Sequence, residues 1–218
     1  MYKLLKRILD FIISLLSIII LLPLFILLII LIKIDSKGPV LFVQNRVGQR
    51  KKLFKIYKFR TMRVDTPKNM PTHLLEDPDQ YITKAGKILR RTSLDELPQL
   101  WNILIGDMSI IGPRPALWNQ YDLIEERDKY QANNIKPGLS GWAQINGRDE
   151  LEIAVKAKLD GEYVEKLSFL FDCKCFFGTI VNILCHRGVV EGGTGRLNSL
   201  SLGIAATEEI QDEEGDAQ

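Results

Sequence analysis

The chain has 218 residues, a length that predicts one domain with an appendage, and three cysteines, an odd number that argues against a disulfide framework. Its 29 lysines and arginines face 27 acidic residues, but six of those acids lie in residues 207–218, which contain no base. The rest of the chain therefore carries an excess of eight positive charges, which suits phosphates, an acidic membrane face or nucleic acid as partners.

A segment without charge, residues 11–32, dominates the N-terminal part of the sequence. As a helix it would extend about 33 Å, enough to reach across a bilayer core. Basic residues flank it at both ends, whereas the positive-inside rule expects them on the cytoplasmic side. A helix that bends at Pro23 and leaves by the face it entered would explain this, with Ser14 or Ser17 offering hydroxyls to the freed carbonyls. An ordinary single span with a tolerated proline is the alternative, and composition alone slightly favours it.

A β-hairpin is predicted next, with strands over residues 40–45 and 53–60 and a reversal at Gly48. Between Arg46 and Arg63 this region holds eight bases and no acid. A solvated basic face is the first interpretation, and contact with anionic lipid headgroups is the second.

Adjacent carboxylates, Asp95 and Glu96, follow two arginines and precede a Gly-Pro-Arg-Pro elbow that contains Arg114. Ser93 and Glu96 fit the capping box of a helix start, but Pro98 would remove a hydrogen bond inside that helix, so the turn must be short or kinked. A helix start also attracts phosphate. Cap and phosphate chemistry both stay open on this local pattern, because short motifs often mislead.

Helices are predicted over residues 84–91, 117–133 and 151–166. A glycine-rich segment, residues 136–148, lies between the last two. Its three glycines suggest backbone packed close to a ligand or to neighbouring chain, and a tight structural loop with Trp142 in the core is the alternative.

Apolar residues recur at helical spacing between Phe169 and Leu184, which predicts a last helix that fills the core or lies along a bilayer surface. Cys173 and Cys175 are expected to fill apolar space in this helix. Their spacing relative to His186 matches no zinc pattern.

In this order the segments resemble the small monotopic phosphoglycosyl transferases of the bacterial sugar transferase family. The resemblance covers residues 3–185 and departs locally at Leu22, where small members often have serine, and at Ser140, where threonine is commoner. The motifs that carry it are Lys6-Arg7 with Asp10, residues 38–48, 58–62, 91–102, 106–109, 112–115, 137–144 and 146–148, and then Asp160, Tyr163 and residues 168–172.

The resemblance implies an enzyme that moves a sugar 1-phosphate from a UDP-sugar to undecaprenyl phosphate and releases UMP, through a covalent aspartyl-phosphosugar intermediate. Asp95 is the implied nucleophile and Mg²⁺ ligand. Glu96 is the implied catalytic partner, which assists the second step by accepting a proton from the acceptor or by steering it. We expect about three of five candidate phosphate-binding residues to reach the substrate, given how often motif roles fail to transfer. These candidates are Lys58, Arg60, Arg91, Arg114 and Arg148.

The implied fold is α+β and mostly helical. Residues 1–36 form a re-entrant membrane helix, which replaces the single span. Residues 37–187 form a compact cytoplasmic helical catalytic domain with a small β-hairpin and interfacial amphipathic helices. Residues 188–218 lie outside the resemblance, and their composition predicts a flexible, Gly-rich and acidic tail.

The implied location is the cytoplasmic face of the bacterial inner membrane, where the enzyme meets its lipid acceptor at the inner leaflet and initiates assembly of a surface glycan or glycoprotein. The oligomeric state stays open, a homodimer included. A nucleic-acid partner is not expected, because the sequence contains no recognition module. A non-catalytic, membrane-tethered scaffold is the alternative from a different class, and it predicts neither UMP release nor magnesium dependence.

Overall fold

Helices dominate the structure, a computed structural model that describes residues 2–66, 80–147 and 151–184. Within these ranges the helices are α1 (Tyr2–Ile20), α2 (Leu22–Asp35), α3 (Lys84–Arg91), α4 (Gln99–Ile105), α5 (Tyr121–Asp128), α6 (Trp142–Ile145), α7 (Ile153–Glu165) and α8 (Phe169–Leu184). The strands are β1 (Leu41–Val47), β2 (Leu53–Phe59), β3 (Ser109–Ile111) and β4 (Gly138–Ser140). The prediction of a mostly helical α+β fold with a small hairpin is confirmed.

The first two helices form a bent pair, whose axes differ by 62° across a break at Leu21. Pro23, the second residue of α2, has no amide hydrogen to donate to the carbonyl of Ile19, so the helical ladder is interrupted there. The hydroxyl of Ser14 donates to the carbonyl of Phe11 at 3.0 Å, well before the break. Ser14 therefore does not serve the carbonyl freed by the proline, and the same role for Ser17 stays a prediction.

Neither α1 nor α2 alone is long and apolar enough to cross a membrane, and the same is true of every other helix in the described ranges. Taken together, the bent pair meets that requirement, which gives weak support to the predicted re-entrant helix. Large apolar side chains on both helices are exposed, among them Leu16, Ile20, Leu27 and Ile30. An exposed apolar surface of this extent indicates a membrane or a protein partner.

Both N-terminal helices are also part of the core. Leu28 and Ile32 of α2 are buried together with Phe59 of β2 and Leu89 of α3. Burial of side chains of this kind contributes about 1.5–3 kcal/mol each to stability. The bent pair therefore packs as a structural element of the domain.

Polar contacts reinforce this packing along α1. Arg7 donates hydrogen bonds of 2.7 and 2.8 Å to two carbonyls in the last turn of α4. Asp10 is buried and accepts bonds from the hydroxyl of Ser109 at 2.8 Å and from the amide of Ile110 at 3.0 Å. These bonds satisfy helix-end and strand groups that would otherwise be buried unpaired.

The predicted hairpin is confirmed. β1 and β2 pair antiparallel, from Leu41 opposite Phe59 to Val47 opposite Leu53. A 3₁₀ turn, Gln49–Lys51, closes the reversal after the predicted turn glycine. The first strand runs two residues further than predicted, because the ladder continues until this turn begins.

A second sheet, which the sequence did not predict, pairs β3 with β4 in parallel. Ser109 lies opposite Gly138, and Ile111 lies opposite Ser140. Each strand has only three residues, too few to show an alternating pattern. This sheet joins the segment after the acidic pair to the glycine-rich segment.

The helix α5 is shorter than the predicted helix over residues 117–133. Before it, the side-chain oxygen of Gln120 accepts a bond from the amide of Leu117 at 2.8 Å, which holds the chain in a turn. After it, Gln131 has a φ of 55°, a left-handed conformation that cannot continue a helix. By contrast, α3 matches its predicted range, and α7 agrees with the prediction within two residues.

The last helix, α8, has two different sides. Cys175 is buried with Ile111 and Tyr163, which confirms that this cysteine fills the core. On the other side, Phe176 and Phe177 are exposed. The core location is therefore confirmed for one side, and contact of the other side with a bilayer stays a prediction.

The predicted domain boundaries after residues 36 and 187 stay predictions. The predicted tail, residues 188–218, lies outside the described residues.

Candidate active site

The acidic pair lies on a short 3₁₀ turn, Leu94–Glu96, between α3 and α4. Ser93 precedes this turn with a φ of 56°, and its side chain makes no capping hydrogen bond. Because the left-handed conformation turns this residue away from the cap geometry, the predicted capping box does not form. Pro98 stands at the N-cap of α4 and outside the turn, so the prediction of a short turn is confirmed.

Two cations hold the Glu96 carboxylate. The Nζ of Lys58 and the Nη2 of Arg114 each donate to Oε1 of Glu96 at 2.9 Å. Lys58 comes from β2, whereas Arg114 comes from the elbow, residues 112–115, after β3. The Glu96 side chain is only 12% exposed, so this ion triad is weakly screened by solvent and salt. The structure thus brings two of the five predicted phosphate-binding side chains to the acidic pair.

Close backbone packing holds the elbow in place. The amide of Gly112 donates to the carbonyl of Ser140 at 2.8 Å. A Cβ added at Gly138 would lie 2.1 Å from the Gly112 nitrogen, and one added at Gly141 would lie 2.0 Å from the Gly112 oxygen. Only glycine fits at these positions, because the glycine-rich segment packs directly against the backbone of the elbow. One result of this packing is to position Arg114.

The two carboxyls have oppositely shifted pKa values. Burial raises the pKa of Asp95, and the negative charge of Glu96 raises it further, although Lys58, Arg90 and Arg114 act in the opposite direction. Burial would also raise the pKa of Glu96, but the charges and hydrogen bonds of Arg114 and Lys58 outweigh it and hold that pKa well below its usual range. Neighbouring carboxyls with separated pKa values are typical of groups with different chemical tasks.

Asp95 offers oxygen atoms that could bind a cation. Its carboxylate forms no hydrogen bond with the part of the chain that the structure describes. In the same part of the chain, no three His, Cys, Asp or Glu side chains come together to hold a metal. Mg²⁺ is commonly bound by one or two carboxylates together with substrate phosphates. The residues present therefore fit an ion shared between Asp95 and a diphosphate.

Arg60 lies apart from the acidic pair. Its side chain is buried and donates to the carbonyl of Lys37 at 2.7 Å, the carbonyl of Ser36 at 2.8 Å and the hydroxyl of Ser36 at 2.9 Å. These bonds tie the end of α2 to the hairpin. The geometry favours a structural role for Arg60 over the predicted phosphate contact.

The structure does not place the remaining two predicted phosphate-binding arginines, Arg91 and Arg148, at the acidic pair. Arg91 is exposed at the end of α3, and Arg148 lies outside the described residues. Arg90, the neighbour of Arg91, acts on Asp95 instead, because its charge lowers the pKa of that carboxyl. The Nε of Arg90 donates a hydrogen bond to the hydroxyl of Thr61 at 3.0 Å. Arg90 was not a predicted site residue, because two consecutive arginines in a sequence do not reveal which of them faces the site.

A small basic cleft, with room for about one water-sized atom between its walls, opens beside the ion triad. Its lining consists of Arg46, Ile56, Lys58, Gln99, Arg114 and Pro115. Arg46 is held by a bond from its Nη1 to the carbonyl of Pro115 at 3.2 Å. Neither Arg46 nor Gln99 was a predicted site residue. The first is one of many bases in its region, and the second showed no sign of its burial.

The sequence matches the family described as Bacterial sugar transferase over residues 1–186. This match covers most of the 218 residues. The chain belongs to the bacterial sugar transferase family. The predicted resemblance is therefore confirmed at the level of the family.

Several relatives of this bacterial sugar transferase carry informative names. This chain is 37% identical over 195 residues to the UDP-N-acetylgalactosamine-undecaprenyl-phosphate N-acetylgalactosaminephosphotransferase of Aeromonas hydrophila. The aligned region covers 86% of this chain and 45% of that protein. This chain is 40% identical over 186 residues to the UDP-glucose:undecaprenyl-phosphate glucose-1-phosphate transferase of Escherichia coli K12. The aligned region covers 82% of this chain and 40% of that protein.

A third relative is similar in length to this sugar transferase. The chain is 40% identical over 190 residues to the exopolysaccharide production protein PSS of Rhizobium leguminosarum bv. phaseoli. The aligned region covers 83% of this chain and 95% of that protein. The chain thus spans less than half of the first two relatives and nearly all of the third.

Proposed function

We propose that this protein transfers a sugar 1-phosphate from a UDP-sugar to undecaprenyl phosphate, and that it releases UMP and undecaprenyl-diphosphate-sugar. The observation that carries the proposal is the Asp95–Glu96 pair, with its separated pKa values, beside a cleft lined by three cations. Two relatives, 37% and 40% identical to this chain, are named for transfer to undecaprenyl phosphate, which supports this acceptor.

In the first step, a carboxylate oxygen of Asp95 attacks the β-phosphorus of the donor. A bond forms between that oxygen and phosphorus, and the bond to the oxygen bridging the two phosphates breaks. UMP leaves with this oxygen and its electron pair. Phosphoryl transfer depends mainly on positioning and charge neutralisation, which Lys58 and Arg114 would provide at this place.

In the second step, an oxygen of the lipid phosphate attacks the same phosphorus. The bond to Asp95 breaks, and the carboxylate is restored. Glu96 is a weak base, because its pKa is lowered, so it acts by holding Lys58 and Arg114 in position and not by accepting a proton. Arg91 and Arg148 stay candidates for further phosphate contacts.

Mg²⁺ would be held by Asp95 together with the donor diphosphate, where it supplies neutralisation of the phosphate charge. Asp95 is suited to this because its oxygens have no hydrogen-bonding partner within the described ranges.

A membrane location supports access to a lipid acceptor. The exposed apolar side chains of α1, α2 and α8 offer a surface that would bind the cytoplasmic leaflet of the inner membrane. The acceptor phosphate would lie at headgroup height, so the lipid need not leave the bilayer. The product would start the assembly of a surface glycan, and the name of the Rhizobium relative supports an exopolysaccharide.

The test is UMP release from a panel of UDP-sugars by the purified protein in detergent or nanodiscs, with undecaprenyl phosphate and with Mg²⁺ or EDTA. We expect release with at least one donor and loss of release in EDTA. Intact-protein mass spectrometry with donor alone should show an added sugar phosphate. No UMP from any donor would overturn the proposal and favour the scaffold function.

A further inference from the structure

We propose that Gln99 and Arg46 form an additional phosphate-binding subsite in the basic cleft, where the side-chain amide of Gln99 donates a hydrogen bond to a phosphate oxygen. The inference deepens the proposed function and rests on it for the source of the phosphate, which is either the nucleotide donor or the lipid acceptor.

The first observation is the burial of the Gln99 side chain. Gln99 is the first residue of α4 and is only 2% exposed. Its Nε2 is buried and has no hydrogen-bond partner among the described residues. A buried donor without a partner destabilises a fold, so native proteins contain few of them. A ligand that accepts this bond would explain why the amide is kept.

A second amide on the same helix shows the contrast. Asn102 is completely buried, three residues further along α4. Its Oδ1 accepts a bond from the amide of Tyr57 at 3.1 Å, and its Nδ2 donates to the carbonyl of Lys55 at 2.8 Å. Asn102 is thus satisfied by the backbone of the hairpin. Gln99 lines the cleft, and its Nε2 has no hydrogen-bond partner in the described chain.

The charges around the cleft define the class of ligand. Arg46, Lys58 and Arg114 line it together with Gln99, so an amide hydrogen is presented among three positive charges. A cation would be repelled by this set of positive charges, two of which, Lys58 and Arg114, already bind Glu96. A phosphate has several strong acceptor oxygens, and planar guanidinium groups suit it well. Because Lys58 and Arg114 also bind Glu96, this phosphate would lie next to the acidic pair.

The main variant is Gln99→Met, which keeps the length of the side chain and removes the donor. Without ligand, we expect its melting temperature to equal or exceed that of the wild-type protein, because the unpaired amide is gone. With substrates, we expect KM for the molecule bound by this subsite to rise about tenfold to a hundredfold, as for loss of a hydrogen bond to a charged group. Gln99→Glu should weaken binding further, because a carboxylate repels phosphate.

The matched control is Asn102→Leu, which removes the satisfied amide from the same helix and should lower the melting temperature clearly. Separate KM measurements for the UDP-sugar and for undecaprenyl phosphate identify which substrate supplies the phosphate. Unchanged KM values for both in Gln99→Met would overturn the subsite and leave the proposed function intact. A melting temperature as low as that of Asn102→Leu, or undiminished binding by Gln99→Glu, would also overturn it.

A readout without turnover separates the two proposals. Pyrophosphate should raise the melting temperature of the wild-type protein and raise it less in Gln99→Met. This difference would support the subsite even if the wild-type protein released no UMP, whereas an equal rise in both proteins would count against it.

Discussion

Arg114 and Glu96, 18 residues apart in sequence, meet through a 2.9 Å hydrogen bond between Nη2 and Oε1. The bond joins the elbow to the acidic turn. Lys58 donates to the same oxygen, so three separate segments of the chain converge on one carboxylate. The position of Glu96 therefore controls where two candidate phosphate-binding cations stand relative to Asp95.

Asp95→Asn should remove activity and leave the fold intact. An amide oxygen cannot serve as the attacking carboxylate, so UMP release should fall below detection. Because burial already disfavours the charged form of Asp95, the neutral amide should not lower the melting temperature. UMP release and thermal denaturation measure the two effects.

The control for this variant is Asp65→Asn. Asp65 pairs with Arg63 at the surface, where both side chains are more than half exposed. It should keep wild-type turnover. Full turnover by Asp95→Asn would eliminate the covalent mechanism.

The pH dependence of turnover should follow the ionisation of Asp95. Its pKa is raised, so the reactive carboxylate should be lost on acidification at a higher pH than for an ordinary aspartate. Lys58→Met removes a charge that lowers this pKa, and the acid limb of the kcat profile should therefore move to still higher pH. The exposed Lys55 gives the control variant Lys55→Met, which should leave the limb in place. A profile that is the same in all three proteins would contradict the assignment.

Local patterns in the sequence were sufficient for the hairpin, α3, α7 and α8. Each of these elements has enough residues to show its period. The two three-residue strands, β3 and β4, do not, and their pairing depends on packing between distant segments.

The site shows the same division between local and distant information. The acidic pair and its arginines stood out by residue type. The partners of Glu96, however, lie 38 and 18 residues away, and the sequence offered a nearby cap instead. Arg60 resembled a phosphate ligand, but the carbonyls at the end of α2 compete for it. The burial of Gln99 follows from tertiary packing alone.

Gly141→Ala should impair activity through the elbow. Its new methyl group would lie 2.0 Å from the Gly112 oxygen, so the backbone must shift and move Arg114. We expect a lower melting temperature and a raised KM for the UDP-sugar. Gly178→Ala is the matched control, because its methyl group would meet only the end of the Ile145 side chain, at 2.8 Å, which can move. Equal effects of the two substitutions would contradict this account of the glycine-rich segment.

Asp160→Asn should destabilise the protein strongly. Asp160 is 1% exposed and binds the Nη2 and Nε of Arg127 at 2.6 and 2.8 Å. Its removal leaves a buried guanidinium without a counter-charge, at a cost of about 3–5 kcal/mol. Denaturation experiments should show this loss. The exposed pair of Asp65 should contribute no more than about 1 kcal/mol, so Asp65→Asn again serves for comparison.

Arg60→Lys should act on stability and not on substrate affinity. A lysine cannot reproduce the three bonds to Ser36 and Lys37, so the melting temperature should fall. The KM for the UDP-sugar should stay at the wild-type value in the folded fraction. A raised KM at an unchanged melting temperature would return Arg60 to the substrate-binding residues.

The packing of α1 and α2 has a practical consequence for anyone who handles this protein. Arg7 supplies donors to the end of the helix that starts just after the acidic turn, and Leu28 and Ile32 complete the core around Phe59. The first two helices therefore cannot be removed without the loss of contacts that the rest of the domain uses. A fragment trimmed of these residues to gain water solubility would lose part of its hydrophobic core, and a chimaera with a different N-terminal segment would need to keep Arg7 and Asp10 in their places.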